Sequence, residues 1–97
     1  MTQTSILDPT TTTPSTSTAV TPAAGSMSKI GLYVASGALP DNVRAEVVMG
    51  TPGSDLIIGT LHKGEPTMLV PGPATGAGVR VRLTTTGGTA VGVFKDE

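Results

Sequence analysis

The chain of 97 residues has no cysteine and no tryptophan, and its only aromatic residues are Tyr33 and Phe94. Without cysteine, neither a disulfide framework nor a zinc–thiolate site can form. With His62 as the only histidine, a metal centre built on imidazole lacks its ligands as well. No run of about 18 apolar residues is present, which excludes a membrane-spanning helix. No basic patch followed by an apolar stretch opens the chain, so no secretory signal is read and use without Sec export is expected. Charge is sparse and balanced, with 6 Lys and Arg against 7 Asp and Glu. Asp8 is the only charged residue before Lys29, so the remainder carries equal numbers of each sign. No face basic enough to follow a phosphate backbone can be drawn from that set, so nucleic acid is not an expected partner.

The scarcity of aromatics bears on stability, because these side chains normally supply the largest burial per residue. A domain of ~70 residues buries only about 60% of its unfolded surface. Natural domains of that size commonly add disulfides, a metal or a partner. With the first two excluded, a partner is expected.

Residues 1–27 are dominated by Thr, Ser and Pro, with Ile6, Leu7, Val20 and Met27 as the only large apolar side chains beyond Met1. Such a segment, taken alone, buries too little to offset backbone entropy. Pro9, Pro14 and Pro22 bias it toward extended geometry, reaching on the order of 80 Å at ~3.1 Å per residue. It reads as an extended arm ordered by docking, with Ile6, Leu7, Asp8, Pro9 and Val20 as the partner-binding candidates. Deleting it is expected to weaken binding while leaving residues 28–97 folded.

Residues 28–97 alternate short β-branched runs with turn clusters, and no apolar set recurs at helical spacing. Six strands are predicted, at 29–35, 43–49, 55–61, 66–70, 78–85 and 89–95, forming a small all-β antiparallel sandwich or barrel. Turn signals lie at Leu39 to Asn42, at Thr51-Pro52-Gly53-Ser54 (read as type II), at His62 to Glu65, and from Pro71 to Gly78. In the last segment Val79, Val81 and Leu83 alternate with Arg80, Arg82 and Thr84, so the first three face the core. A hairpin with a three-residue loop, Thr86-Gly87-Gly88, and Gly88 in the left-handed region sets Leu83 opposite Val91 and Val81 opposite Val93. The same register places Phe94 across from Arg80, as a simple solvated face, a cation–π pair or a contact patch for an acidic partner surface.

Three runs break the alternation: Val47-Val48-Met49, Leu56-Ile57-Ile58 and Met68-Leu69-Val70 are apolar on both faces. Strands of that kind are normally covered on both sides, and no helix is predicted to cover them. Val48, Met49, Leu56, Ile57, Ile58, Met68 and Leu69 are therefore the candidates for a homo-oligomer interface.

The residues offer little for catalysis. His62 and Glu65 share one turn and fall short of a metal set. No serine stands in a nucleophile-elbow glycine pattern. Gly72 to Gly78 is glycine-rich but lacks the Lys-Ser/Thr of a phosphate loop, and a strand rather than a helix follows it. Asp41, Glu46, Asp55 and Glu65 all occupy turn or exposed strand positions, as solvated carboxylates do. No cofactor and no enzymatic activity are expected.

The stretch Thr85-Thr86-Gly87-Gly88-Thr89-Ala90-Val91-Gly92-Val93, together with a Thr-rich arm ahead of a cysteine-free β domain, resembles the small lambda-type head-decoration (cement) proteins of tailed bacteriophages. In this chain the stretch lies nearer the C-terminal end, and the chain is shorter than is usual in that family. The resemblance implies a virion protein forming oligomers, often trimers, that clamp coat subunits, and it assigns no binding residues. The reading from a different class is a ligand-binding β module that recognises a glycan or a host surface.

Overall fold

A computed structural model of the chain describes residues 3–49, 56–72 and 78–96. Every regular element in them is a strand: β1 (Gln3–Thr10), β2 (Ser15–Thr16), β3 (Met27–Val34), β4 (Arg44–Met49), β5 (Leu56–His62), β6 (Thr67–Pro71), β7 (Val79–Thr85) and β8 (Val91–Asp96). They form two antiparallel sheets of four, ordered β1-β8-β3-β6 and β2-β7-β4-β5. The architecture is an open sandwich and not a closed barrel. Among the described residues, no helix is long and apolar enough to cross a membrane.

The sheets meet through side chains that alternate as the strand period requires. Ile30, Leu32, Val70, Val91 and Val93 of the first sheet face Ala45, Val47, Leu61, Val79, Val81 and Leu83 of the second, and all of them are buried. This core is aliphatic throughout. β7 shows the pattern most plainly, with Val79, Val81 and Leu83 buried and Arg80 and Arg82 half-exposed. On the outer face Arg82 donates through Nε and Nη2 to Oε1 of Glu46 at 3.1 and 2.8 Å.

Two expectations are corrected here. The described residues form eight strands, because the segment expected as an extended arm lies in the sandwich and supplies one end strand of each sheet. β1 pairs with β8, with Gln3 opposite Asp96 and Ser5 opposite Phe94. β2 pairs with β7, and Val20 bridges Val79 further along. Between them the Ser17 amide donates to the Val81 carbonyl at 2.9 Å, and the Val81 amide donates to Ser17 Oγ at 2.9 Å. A side-chain hydroxyl thus replaces a backbone acceptor where the irregular edge loses its ladder. The physical reason is that an edge strand needs few apolar knobs. Ile6, 8% exposed, and Val20, 1% exposed, fill the core from this segment, and the backbone ladder does the rest.

The second correction concerns the last connection. β7 and β8 do not pair with each other. β7 lies between β2 and β4, and β8 lies between β1 and β3. Residues 86–90 form an arch from one sheet to the other, with Gly87 and Gly88 at φ of 73° and 88°. Val81, Leu83, Val91 and Val93 all point inward, as expected, but they meet across the core and not side by side. The β5–β6 connection is also an arch, tightened at its base by reciprocal bonds between His62 and Glu65, each 3.1 Å. The predicted turns at Thr51 to Ser54 and within residues 73–77 lie outside the described residues.

Candidate functional site

Each sheet has two edges, and the two flanks of the sandwich are built differently. On one flank lie β1 and β2. Pro9 sits within β1, Pro14 stands just before β2, and the β1–β8 register shifts twice. Prolines, bulges and shortness all blunt an edge against pairing with another chain. On the other flank β5 and β6 are joined by the tight arch. β5 (LIIGTLH) carries no Asp, Glu, Lys or Arg, and β6 (TMLVP) carries none either.

The exposed large hydrophobics among the described residues fall on this second flank. They are Leu56 at 62%, Ile57 at 50%, Leu69 at 57% and Met27 at 56% exposure. Met27 stands opposite Pro71 at the end of β6, and Leu69 opposite Lys29. Leu56 and Ile57 begin the open edge of β5. Of the seven residues expected at an interface, these three of β5 and β6 are solvent-facing. Met49, Ile58 and Met68 are half-buried and pack on the chain's own core. Val48 is 1% exposed on the outer face, opposite Ile57 on one side and Arg80 on the other. Val47 and Val48 keep the regular alternation of β4 against β7, Val47 facing the core and Val48 the outer face, while the register shift against β5 leaves Ile58 as the extra residue. Met27, assigned from sequence to the arm, had no signal marking it as part of this surface.

The arm candidates are placed equally clearly. Ile6 and Val20 are buried in the chain's own core, so the pocket they fill belongs to their own domain. Leu7 packs partly against that core, Pro9 is half-buried, and Asp8 is exposed.

A second feature occupies the outer face of the first sheet. Tyr33 stands opposite Gly92, and Phe94 stands opposite Gly31. A Cβ at Gly31 would come within 2.6 Å of the Phe94 ring, and one at Gly92 within 2.7 Å of the Tyr33 ring. Each aromatic therefore lies down over a glycine of the neighbouring strand, where any other residue would push it off. The two rings meet edge to face, with centroids 6.3 Å apart and planes at 64°. Phe94 thus has Tyr33 as its aromatic neighbour, while Arg80, expected across from it, lies in the other sheet. Tyr33 Oη and Ser5 Oγ share a hydrogen bond of 2.8 Å, and Ser5 Oγ donates to Asp8 Oδ1 at 3.2 Å. Beside the rings opens a cleft of about 320 Å³ lined by Gln3, Thr4, Ser5, Tyr33 and Phe94.

The residues weighed for chemistry are dispersed or paired with cations. Asp41 accepts a 2.8 Å bond from Lys63 Nζ, which holds its carboxyl below the usual carboxylate range through that bond and the charge behind it. Glu46 is paired with Arg82 at 2.8 Å. His62 Nδ1 accepts from the Gly64 amide at 3.1 Å, which leaves the proton of the neutral ring on Nε2. Among the described residues no three of His, Asp and Glu converge as a metal set. Asp55 lies outside the described residues. Comparison with protein-family models, with curated proteins and with solved structures found no match for this chain.

Proposed function

We propose that this chain is a non-enzymatic structural protein that assembles into a homo-oligomer through the β5/β6 flank, and that it decorates or cements a phage-like particle. The observation that carries the reading is the asymmetry of the two flanks. Both carry prolines and a register shift, but among the described residues the exposed large aliphatics Leu56, Ile57, Leu69 and Met27 gather on the β5/β6 flank, along strands without Asp, Glu, Lys or Arg. Uncharged apolar edges left open are the surfaces on which strands of another chain add. A second copy is the occupant favoured here, because an uncharged apolar flank is compatible with a copy of itself. A patch crossed by unpaired charges of one sign would not be.

The particle and the coat partner rest on the resemblance of residues 85–93 to head-decoration proteins, which also implies the trimer. The arm's role changes within this reading. Ile6 and Val20 hold the sandwich together, so contact with coat subunits falls to the exposed surface of the folded domain.

The test is the solution mass of the full chain, measured by light scattering after size exclusion, for the native protein and for I57K and L69K. Both substitutions replace half-exposed or exposed side chains and leave the core intact. A discrete oligomer that both variants reduce to monomers supports the reading. A native protein that stays monomeric at every accessible concentration, or variants that assemble as before, removes it.

A further inference from the structure

The two aromatic residues of the chain are both absent from its core. In a domain short of burial, rings of this size would contribute most between the sheets. Instead both lie on the outer face of the first sheet, each seated over a glycine and each half-exposed. Their edge-to-face contact gives a bent apolar wall, and β1 supplies the facing wall from Gln3, Thr4 and Ser5.

The polar side of this cleft is organised as well. The Ser5 hydroxyl has one proton, and it is donated to Asp8. The 2.8 Å bond between Ser5 and Tyr33 is therefore donated by the tyrosine. The relay ends on a carboxylate, which orders both hydroxyls and leaves the outward lone pairs of Tyr33 Oη free to accept. Gln3, on the same face of β1 as Ser5, adds an amide that both donates and accepts. None of the lining side chains is charged. The charges nearest on this face are carboxylates: Asp8, bonded to Ser5, and Asp96, opposite Gln3.

We infer that this cleft is a binding site for a neutral pyranose sugar. The ligand must present an apolar face to Tyr33 and Phe94 and hydroxyls to Gln3 and the Tyr33 oxygen. A pyranose ring does both, with axial C–H groups on one face and hydroxyls around its rim. Phosphate or carboxylate ligands would find no cation in the lining. A simple alkyl chain would leave the polar groups of Gln3 and Tyr33 unsatisfied. At about 320 Å³ the cleft lies at the lower end of small-molecule sites, which suits one ring with part of a second. This site stands apart from the β5/β6 flank, and its test is independent of assembly.

The chain reports on the site by itself, since Tyr33 is its only tyrosine and no tryptophan is present. The full chain, labelled with ¹⁵N, is titrated with the methyl glycosides of glucose, galactose, mannose and N-acetylglucosamine, and with neutral tetrasaccharides of glucose and mannose. At least one of these is expected to saturate the tyrosine fluorescence change, with amide shifts centred on Gln3, Thr4, Ser5, Tyr33 and Phe94. F94L is expected to weaken that binding about tenfold, by loss of the stacked ring. S5A, on an exposed strand position, is expected to weaken it severalfold without disturbing the fold, which keeps the test decisive if F94L misfolds. Absence of saturation with every sugar overturns the proposal. So do shifts that map away from the cleft, and so does a response to adenosine alone, which would mean stacking of a flat base without hydroxyl recognition.

Discussion

Ile6 is one aliphatic side chain in a run of threonines and prolines, yet it is 8% exposed and packs among the core valines. Ile6→Ala is therefore expected to cost about 2–4 kcal/mol, read from urea unfolding. Asp8→Ala, two positions along and exposed, should change stability by less than ~0.5 kcal/mol. A chain starting at residue 28 should lose its cooperative transition altogether, since Val79 and Val91 would be stripped of Val20 and of β1. The pair Lys63 and Asp41 acts on a smaller scale, because both side chains are largely in solvent and the interaction is screened by salt. The folded state lowers the Asp41 pKa, so whatever stability the pair adds is present above the ordinary aspartate value. It is lost as pH falls through the depressed value. Lys63→Met should return the Asp41 carboxyl titration, followed by NMR, to the ordinary range.

At the scale of elements, strand positions from residue 27 onward were readable within two residues at each end, because β-branched runs and turn clusters alternate so regularly. Which side chains of β7 and β8 point inward was readable too. Which strand lies beside which was not. A hairpin and an arch bury the same alternate residues, and the period of two is satisfied equally by Leu83 and Val91 as neighbours or as opposite walls of the core. Two consecutive glycines with positive φ suit a tight turn and a crossing between sheets alike. β1 and β2 escaped notice for a related reason. An edge strand closed by backbone bonds, by Ile6 and by a partly buried Leu7 beside it carries no alternation strong enough to stand out from threonine-rich coil. The doubly apolar runs combined two effects that a pattern cannot separate. Val48 is buried on the outer face between Ile57 and Arg80, whereas Ile57 itself remains half-exposed. The cleft was the least accessible feature, since it joins residues 3–5, 33 and 94 through two strand registers at once.

At the scale of the molecule, the sandwich gathers its exposed large aliphatics on one flank, and the other flank is assembled from the segment that composition alone assigns to disorder. The same pairing has a further consequence. Gln3 and Asp96 are register partners on adjacent strands, so the sheet is held shut by residues separated by nearly the whole sequence. Pairings of such high contact order form late in folding. It also means that a short flexible peptide can join residue 96 to residue 3 without distorting either strand. A backbone-cyclised form should keep the amide spectrum of the linear chain and melt several degrees higher, because closure removes entropy only from the unfolded state. A melting point left unchanged or lowered would show that the seam between first and last strands opens well before the rest. Topologically, the described strands form a ribbon whose first and last members lie side by side.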